Sequence, residues 1–237
     1  MKKPNLNERK HHDFVRLLMH WHKDNRREFP WRTQRDPYLS LVAEILLQRT
    51  PANRVSTFFP HFIRKFPDPQ SIMSTSINDL EKFLKPMGLK KRAEWLAKLV
   101  KEICEKHRCR VPDREDALVK LPGVGLYTAR AVLCFGFGKD VPIVDVNVAR
   151  VLSRVFGLSE TRKRPSEDEA LWLFAAKLVP KGLGPQYNET LLDHAALICK
   201  KNPQCGDCLI SALCSYYQRY QKTVKGLSSE TLMERTT

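Results

Sequence analysis

The sequence predicts an all-α protein, and three observations carry that reading. Helix-start signals recur along the chain, in "RDPYLSLVAEILLQRTP", at Thr50-Pro51 and in "PSEDEALWLFAAKLV". Apolar residues fall at helical spacing, as with Leu96, Leu99, Val100 and Ile103 at i, i+3, i+4 and i+7. Alternating apolar-polar runs of the kind that make half-buried strands are essentially missing.

The elements follow in chain order. Asp36 offers an N-cap and Pro37 a first helical residue, ahead of an apolar run to Leu47. Thr50-Pro51 repeats that signal for a helix through "ANRVSTFFPHFIRKF", and "KRAEWLAKLVKEICEKH" forms the next. After "DREDALVK" comes "LPGVG", a turn built from one proline and two glycines, and then an apolar helix whose second residue is Tyr127. A further helix, "VNVARVLSRVFG", starts beyond Pro142 with Asp145 directly before it. Ser166 and Glu169 read as a capping box for "EDEALWLFAAKLV". The last helix, near Asn188 to Ile198, leads into a cysteine-rich segment, and "SSETLMERTT" reads as a frayed tail.

Charge narrows the class of partner. The 237 residues include 41 Lys and Arg against 26 Asp and Glu, a formal net charge of +15. Such a surplus serves as a solubilising surface or, more informatively, meets a polyanion, with nucleic acid first among polyanions. The start "MKKPNLNERKHH" has no apolar core behind its basic residues, so it does not read as a signal peptide. No apolar stretch approaches membrane-spanning length. The expected setting is the cytoplasm, without secretion or a membrane partner, and the expected state a monomer.

Three sets of residues carry chemistry. In "LPGVG" the glycines permit positive φ and leave no Cβ on one surface, where the next helix presents free N–H groups. That arrangement is either a plain interhelical turn or a backbone cradle for an anion such as a DNA phosphate. Four of the seven cysteines, Cys199, Cys205, Cys208 and Cys214, fall within one short segment. An odd cysteine count without a secretory signal argues against a disulfide framework and for a metal site. One C-x2-C flanked by a lone cysteine on each side suits a cubane [4Fe–4S] cluster, with structural zinc as the alternative. The third set is two carboxylates in apolar surroundings. Asp145 is an N-cap or a reactive group; Glu44 lies with Ser40 and Gln48 on a thin polar stripe at i, i+4, i+8, where burial would suit it to proton transfer.

Together these residues resemble the helix-hairpin-helix, endonuclease III-like superfamily of base-excision DNA glycosylases. The resemblance spans roughly residues 14 to 217 and rests on "FPWR…DPY…EILLQRT", "LPGVGLYTA", "VDVNVARVLSR" and the terminal cysteines, in that order. It implies a two-domain all-α fold, with a six-helix barrel over 35–143 and an iron–sulfur domain from 1–34 and 144–220, and a tail over 221–237. It implies double-stranded DNA as partner, with a mismatched base flipped into the cleft between domains.

Under the resemblance Asp145 aligns with the catalytic aspartate. Tyr127 stands where bifunctional members carry a Schiff-base lysine, so this chain resembles the monofunctional members that excise a base without cutting the strand. Two branches fit: thymine/uracil glycosylases acting opposite guanine, and adenine glycosylases acting opposite guanine or 8-oxoguanine. The reading Gln48-Arg49-Thr50, and a chain that stops soon after Cys214, favour the first. A non-catalytic DNA-binding iron–sulfur protein is the rival from another class. Glu44 matches a glutamate present in both branches, Leu121, Gly123, Val124 and Gly125 form the phosphate-gripping hairpin, and Gln48 and Arg49 probe the gap and the orphan guanine. Leu89 is the candidate wedge, with Lys90 and Lys91 for phosphates. The first cysteine spacing, "CKKNPQC", has five intervening residues where the family has six.

Overall fold

Several helix starts in this chain are set by short carboxylates and hydroxyls. Asp36 accepts from Leu39 N at 2.8 Å, Asp68 from Ser71 N at 2.8 Å and Ser76 from Asp79 N at 3.2 Å. Each satisfies an orphan donor of a first turn. A computed structural model describes residues 6–88, 91–158 and 164–221. Its α-helices are α1 (Leu6–Asn25), α2 (Pro37–Leu47), α3 (Ala52–Lys65), α4 (Pro69–Met73), α5 (Ile77–Leu84), α6 (Lys91–His107), α7 (Glu115–Leu118), α8 (Leu126–Ala131), α9 (Val146–Phe156), α10 (Glu169–Ala176) and α11 (Gly184–Leu197). A π-helical turn, Val132–Gly136, continues α8. No strand occurs among the described residues. None of their helices is long and apolar enough to cross a membrane.

Several local expectations need correction. Thr50 caps nothing: Pro51 takes the N-cap position of α3 without a side-chain cap. The cap of α10 is Asp168, which accepts from Leu171 N at 3.1 Å, while Ser166 lies in a 3-10 turn, Pro165–Glu167. Asp168 wins because it immediately precedes the first helical residue, where a side-chain oxygen reaches the free N–H groups. Cys104 and Cys109 form one local disulfide across the end of α6, a pairing the sequence reading did not include.

Contacts divide the chain into two units, one spanning Glu28–Ile143 and the other built from the segments before and after it. In the first, α3 buries Val55, Phe59 and Phe62, and α6 buries Leu96, Leu99, Val100 and Ile103. Phe62, Phe66 and Phe83 meet with ring centroids 5.1–6.2 Å apart. The α2 helix is buried nearly all round, and Tyr38 donates its hydroxyl to Phe66 O at 2.9 Å.

The second unit is closed by its N-terminal helix. The α1 residues Phe14, Leu18 and Trp21 repeat at i, i+4 and i+7 and are buried. Phe14, Phe156 and Phe174 form an edge-to-face group with His11. Lys10 donates to Val155 O at 2.8 Å and Ser215 Oγ at 3.2 Å. The deepest tie is polar. Asp193 on α11 has no exposed surface and takes His22 Nε2 at 3.1 Å, Arg27 N at 3.1 Å and Arg27 Nε at 2.7 Å. Replacing Asp193 with Ala strands the buried His22 and both donors of the half-buried Arg27, so chemical denaturation should show a loss of about 3–5 kcal/mol. Arg16→Ala, which breaks an exposed pair with Asp13, should stay within about 0.5 kcal/mol.

Candidate active site and thiol centre

The hairpin between α7 and α8 is anchored by its apolar residues and presents its glycines. Leu121 and Val124 are buried, and Val124 N donates to Leu121 O at 3.1 Å to close the turn. Gly123 and Gly125 are exposed. Only Gly123 needs the left-handed region, at φ +77°; Gly125 sits at φ −89° as the residue before α8, which corrects the expectation that both glycines supply positive φ. Glu115 on α7 pairs with Arg130 Nε on α8 at 2.7 Å and holds the two helices together.

The turn after α2 meets this hairpin. Gln48 Nε2 donates to Gly123 O at 3.2 Å, so the structure brings together two of the predicted DNA-facing residues. Arg49 is exposed at φ +55°. Lys91 is the exposed first residue of α6, whereas Leu89 and Lys90 lie outside the described residues. On α2, Ser40 is buried and Glu44 half-buried. Tyr127, second residue of α8, is half-buried and packs on Ala131, Cys134 and Ile143.

Asp145 is the N-cap of α9 in the other unit. One oxygen accepts from Asn147 N at 2.9 Å and Val148 N at 2.7 Å; the other accepts from Asn147 Nδ2 at 2.8 Å. Three N–H donors therefore fix the direction of the carboxylate. Asn147 Oδ1 in turn accepts from Arg150 Nη1 at 3.0 Å, and Arg150 donates to Cys199 O at 2.9 Å and Ala195 O at 3.1 Å. Asp145 and the first cysteine are thus joined through two side chains that sequence reasoning missed. Their signal was present as polar positions two and five residues after Asp145 in "DVNVAR".

Cys199, Cys205, Cys208 and Cys214 are free and line one cavity with His194, Arg154 and Ile210. His194 is buried on α11, and burial pushes its imidazole down to about 4, so it is neutral at pH 7. Its Nε2 lies 3.5 Å from Cys208 Sγ, and Arg154 Nη1 donates to Cys199 Sγ at 3.6 Å. Burial first, then the neighbouring cysteines, pushes the Cys208 thiol up to about 11 and raises Cys205 as well. Among the described residues no three His, Cys, Asp or Glu side chains gather as a single-ion site. The four thiols instead line one cavity.

With this geometry in hand, comparison with known proteins is specific. Residues 42–176 match the HhH-GPD superfamily base excision DNA repair protein family. Over 205 residues the chain is 41% identical to the thymine/uracil-DNA glycosylase of Methanothermobacter thermautotrophicus, covering 86% of this chain and 92% of that one. It is 35% identical over 193 residues to an adenine DNA glycosylase of Mycobacterium tuberculosis, covering 81% of this chain and 64% of that one. A solved thermostable thymine-DNA glycosylase superposes with a TM-score of 0.87 at 39% identity, covering 91% of this chain and all of that one. The chain belongs to the HhH-GPD superfamily of base excision DNA repair proteins. It is a DNA glycosylase.

The two hairpin glycines separate by substitution. Gly123→Ala puts a side chain in the left-handed region and should lower stability by about 1–2 kcal/mol. Gly125→Ala, with ordinary φ and open space around a Cβ, should change it by less than about 0.5 kcal/mol in the same denaturation measurement.

Proposed function

We propose that the chain is a monofunctional mismatch glycosylase that hydrolyses the N-glycosidic bond of thymine or uracil opposite guanine. The observation that carries the chemistry is Asp145, a carboxylate held in one direction by three N–H donors. Breaking the bond leaves an oxocarbenium-like sugar, which a fixed carboxylate stabilises while water attacks. Capping and catalysis do not compete, because the cap supplies the orientation. Tyr127 packs against the extruded nucleotide and, lacking an amine, forms no Schiff base, so the product is an abasic site. Glu44 is the candidate proton donor or base contact. The similarity to thymine/uracil enzymes over nearly their whole length supports this target over adenine.

DNA is held by the backbone of Leu121 to Gly125, with Lys90 and Lys91 as phosphate contacts that make affinity salt-dependent. Leu89 enters the stack, and Gln48 and Arg49 read the orphan guanine, for which an arginine is a good partner. A weak mismatched pair lowers the cost of extrusion. Single-turnover assays on duplexes with one G·T, G·U or oxidised G·A pair should release base from the first two. Release only from the G·A duplex would sink this reading in favour of an adenine glycosylase. Asp145→Asn should abolish release while retaining duplex binding.

Cys199, Cys205, Cys208 and Cys214 would hold a [4Fe–4S] cluster. Four thiols around one cavity fit a cubane, which takes one thiolate per iron. When bound, the cluster would supply four covalent anchor points to a segment whose only regular elements are two short 3-10 turns. A purified preparation should be brown and contain iron and sulfide, and Cys208→Ser should bleach it. A colourless protein loaded with zinc would replace the cluster by the alternative metal.

A further inference from the structure

We propose that Arg92 is a positioning residue for mismatch recognition: its buried guanidinium fixes the loop that carries Gln48 and Arg49. The inference rests on the reading above that this loop faces the orphan guanine.

Arg92 is the second residue of α6 and only 1% exposed, the bulkiest fully buried side chain among the described residues. A guanidinium taken out of water is normally matched by a carboxylate. Here it donates to three neutral oxygens, Gln48 O at 2.7 Å, Thr50 Oγ1 at 2.8 Å and Met87 O at 3.3 Å. Two of these acceptors lie at helix ends. Gln48 is the C-cap of α2, and Met87 closes a 3-10 turn, Lys85–Met87. Carbonyls there carry the negative end of the helix dipole and lack intrahelical partners, which compensates the charge without an acid.

The position of those acceptors gives Arg92 its role. Gln48 O and Thr50 Oγ1 flank Arg49, and Thr50 also donates Oγ1 to Gln48 O at 3.3 Å and N to Leu47 O at 3.1 Å. The backbone is clamped on both sides of a residue in the left-handed region, so the exposed Arg49 side chain leaves the loop in a fixed direction. The same clamp keeps Gln48 within reach of Gly123 O. Met87 O ties this loop to the turn that precedes Leu89. Arg92 itself reaches no surface and touches no phosphate, so it acts on discrimination and leaves the salt dependence of binding alone.

The test compares binding to a fully paired duplex and to one with an abasic-site analogue opposite guanine, across salt concentrations. Arg92→Met should lower the ratio of the two affinities about tenfold or more, since small misplacements of a recognition group have effects of that size. The slope of affinity against salt should stay that of the parent. Arg92→Lys, which keeps the charge but lacks the planar fork that spans the three acceptors, should fall between. A merely structural role would lower thermal stability and weaken both duplexes alike. The proposal is overturned if a folded Arg92→Met keeps the ratio within about twofold while Arg49→Ala lowers it. If Arg92→Met does not fold, Arg92→Lys and Thr50→Val decide by the same criterion. An unchanged ratio in Arg49→Ala would instead remove the DNA-facing reading of the loop.

Discussion

One carboxylate with no exposed surface organises the unit built from both chain ends. Asp193 cannot be buried without donors, and His22 and Arg27 are the groups that supply them. Because those donors belong to α1 and the residues just after it, the N-terminal helix has to lie along α11. The α11 helix then ends where the cysteine segment begins, with His194 and Cys199 in its last turns and just beyond. A single desolvated charge thereby links the start of the chain to the thiol cavity. The apolar face of α1 adds area to that contact, but area alone does not select one register.

The same economy appears at helix starts. Asp36, Asp68, Ser76, Asp145 and Asp168 all spend their oxygens on first-turn N–H groups. Asp145 differs in what its neighbours do: Asn147 holds the second oxygen, and Arg150 carries that contact on to the carbonyl of Cys199. A common local device becomes an oriented acid through two further residues of the same helix.

Much of the fold was legible because local signals and burial agree. Asp36-Pro37 begins α2 as written, and the Leu96 to Ile103 spacing is the buried face of α6. The four cysteines that their spacing set apart do line one cavity, because a short segment with two tight turns brings them together. What escaped depends on contacts far along the chain. The α1 helix carries its apolar residues among many charges, and its burial against α11 decides it. Ser166 and Glu169 satisfy the capping pattern, yet Asp168 stands closer to the free amides. No pattern in the sequence marks Arg92, a cation in an otherwise ordinary amphipathic helix, as buried; its acceptors are 44 and 42 residues away and at the nearby turn. The Cys104–Cys109 pairing escaped because cysteine parity speaks to a framework of bridges, and a single local loop needs none.

Arg49 is where folding and the proposed recognition pull apart. Its backbone lies in a region that disfavours side chains by about 1–2 kcal/mol, and a glycine would relieve the strain. Arg108 and Cys109 share that region, but there a disulfide holds the chain. At Arg49 the turn is held by the bonds of Arg92 to Gln48 O and Thr50 Oγ1 on either side. A variant selected for thermal stability alone would drift toward glycine at this position and lose the exposed guanidinium. On the function proposed above, the turn after α2 is a site of trade-off, where part of the protein's folding free energy is set against the choice of substrate.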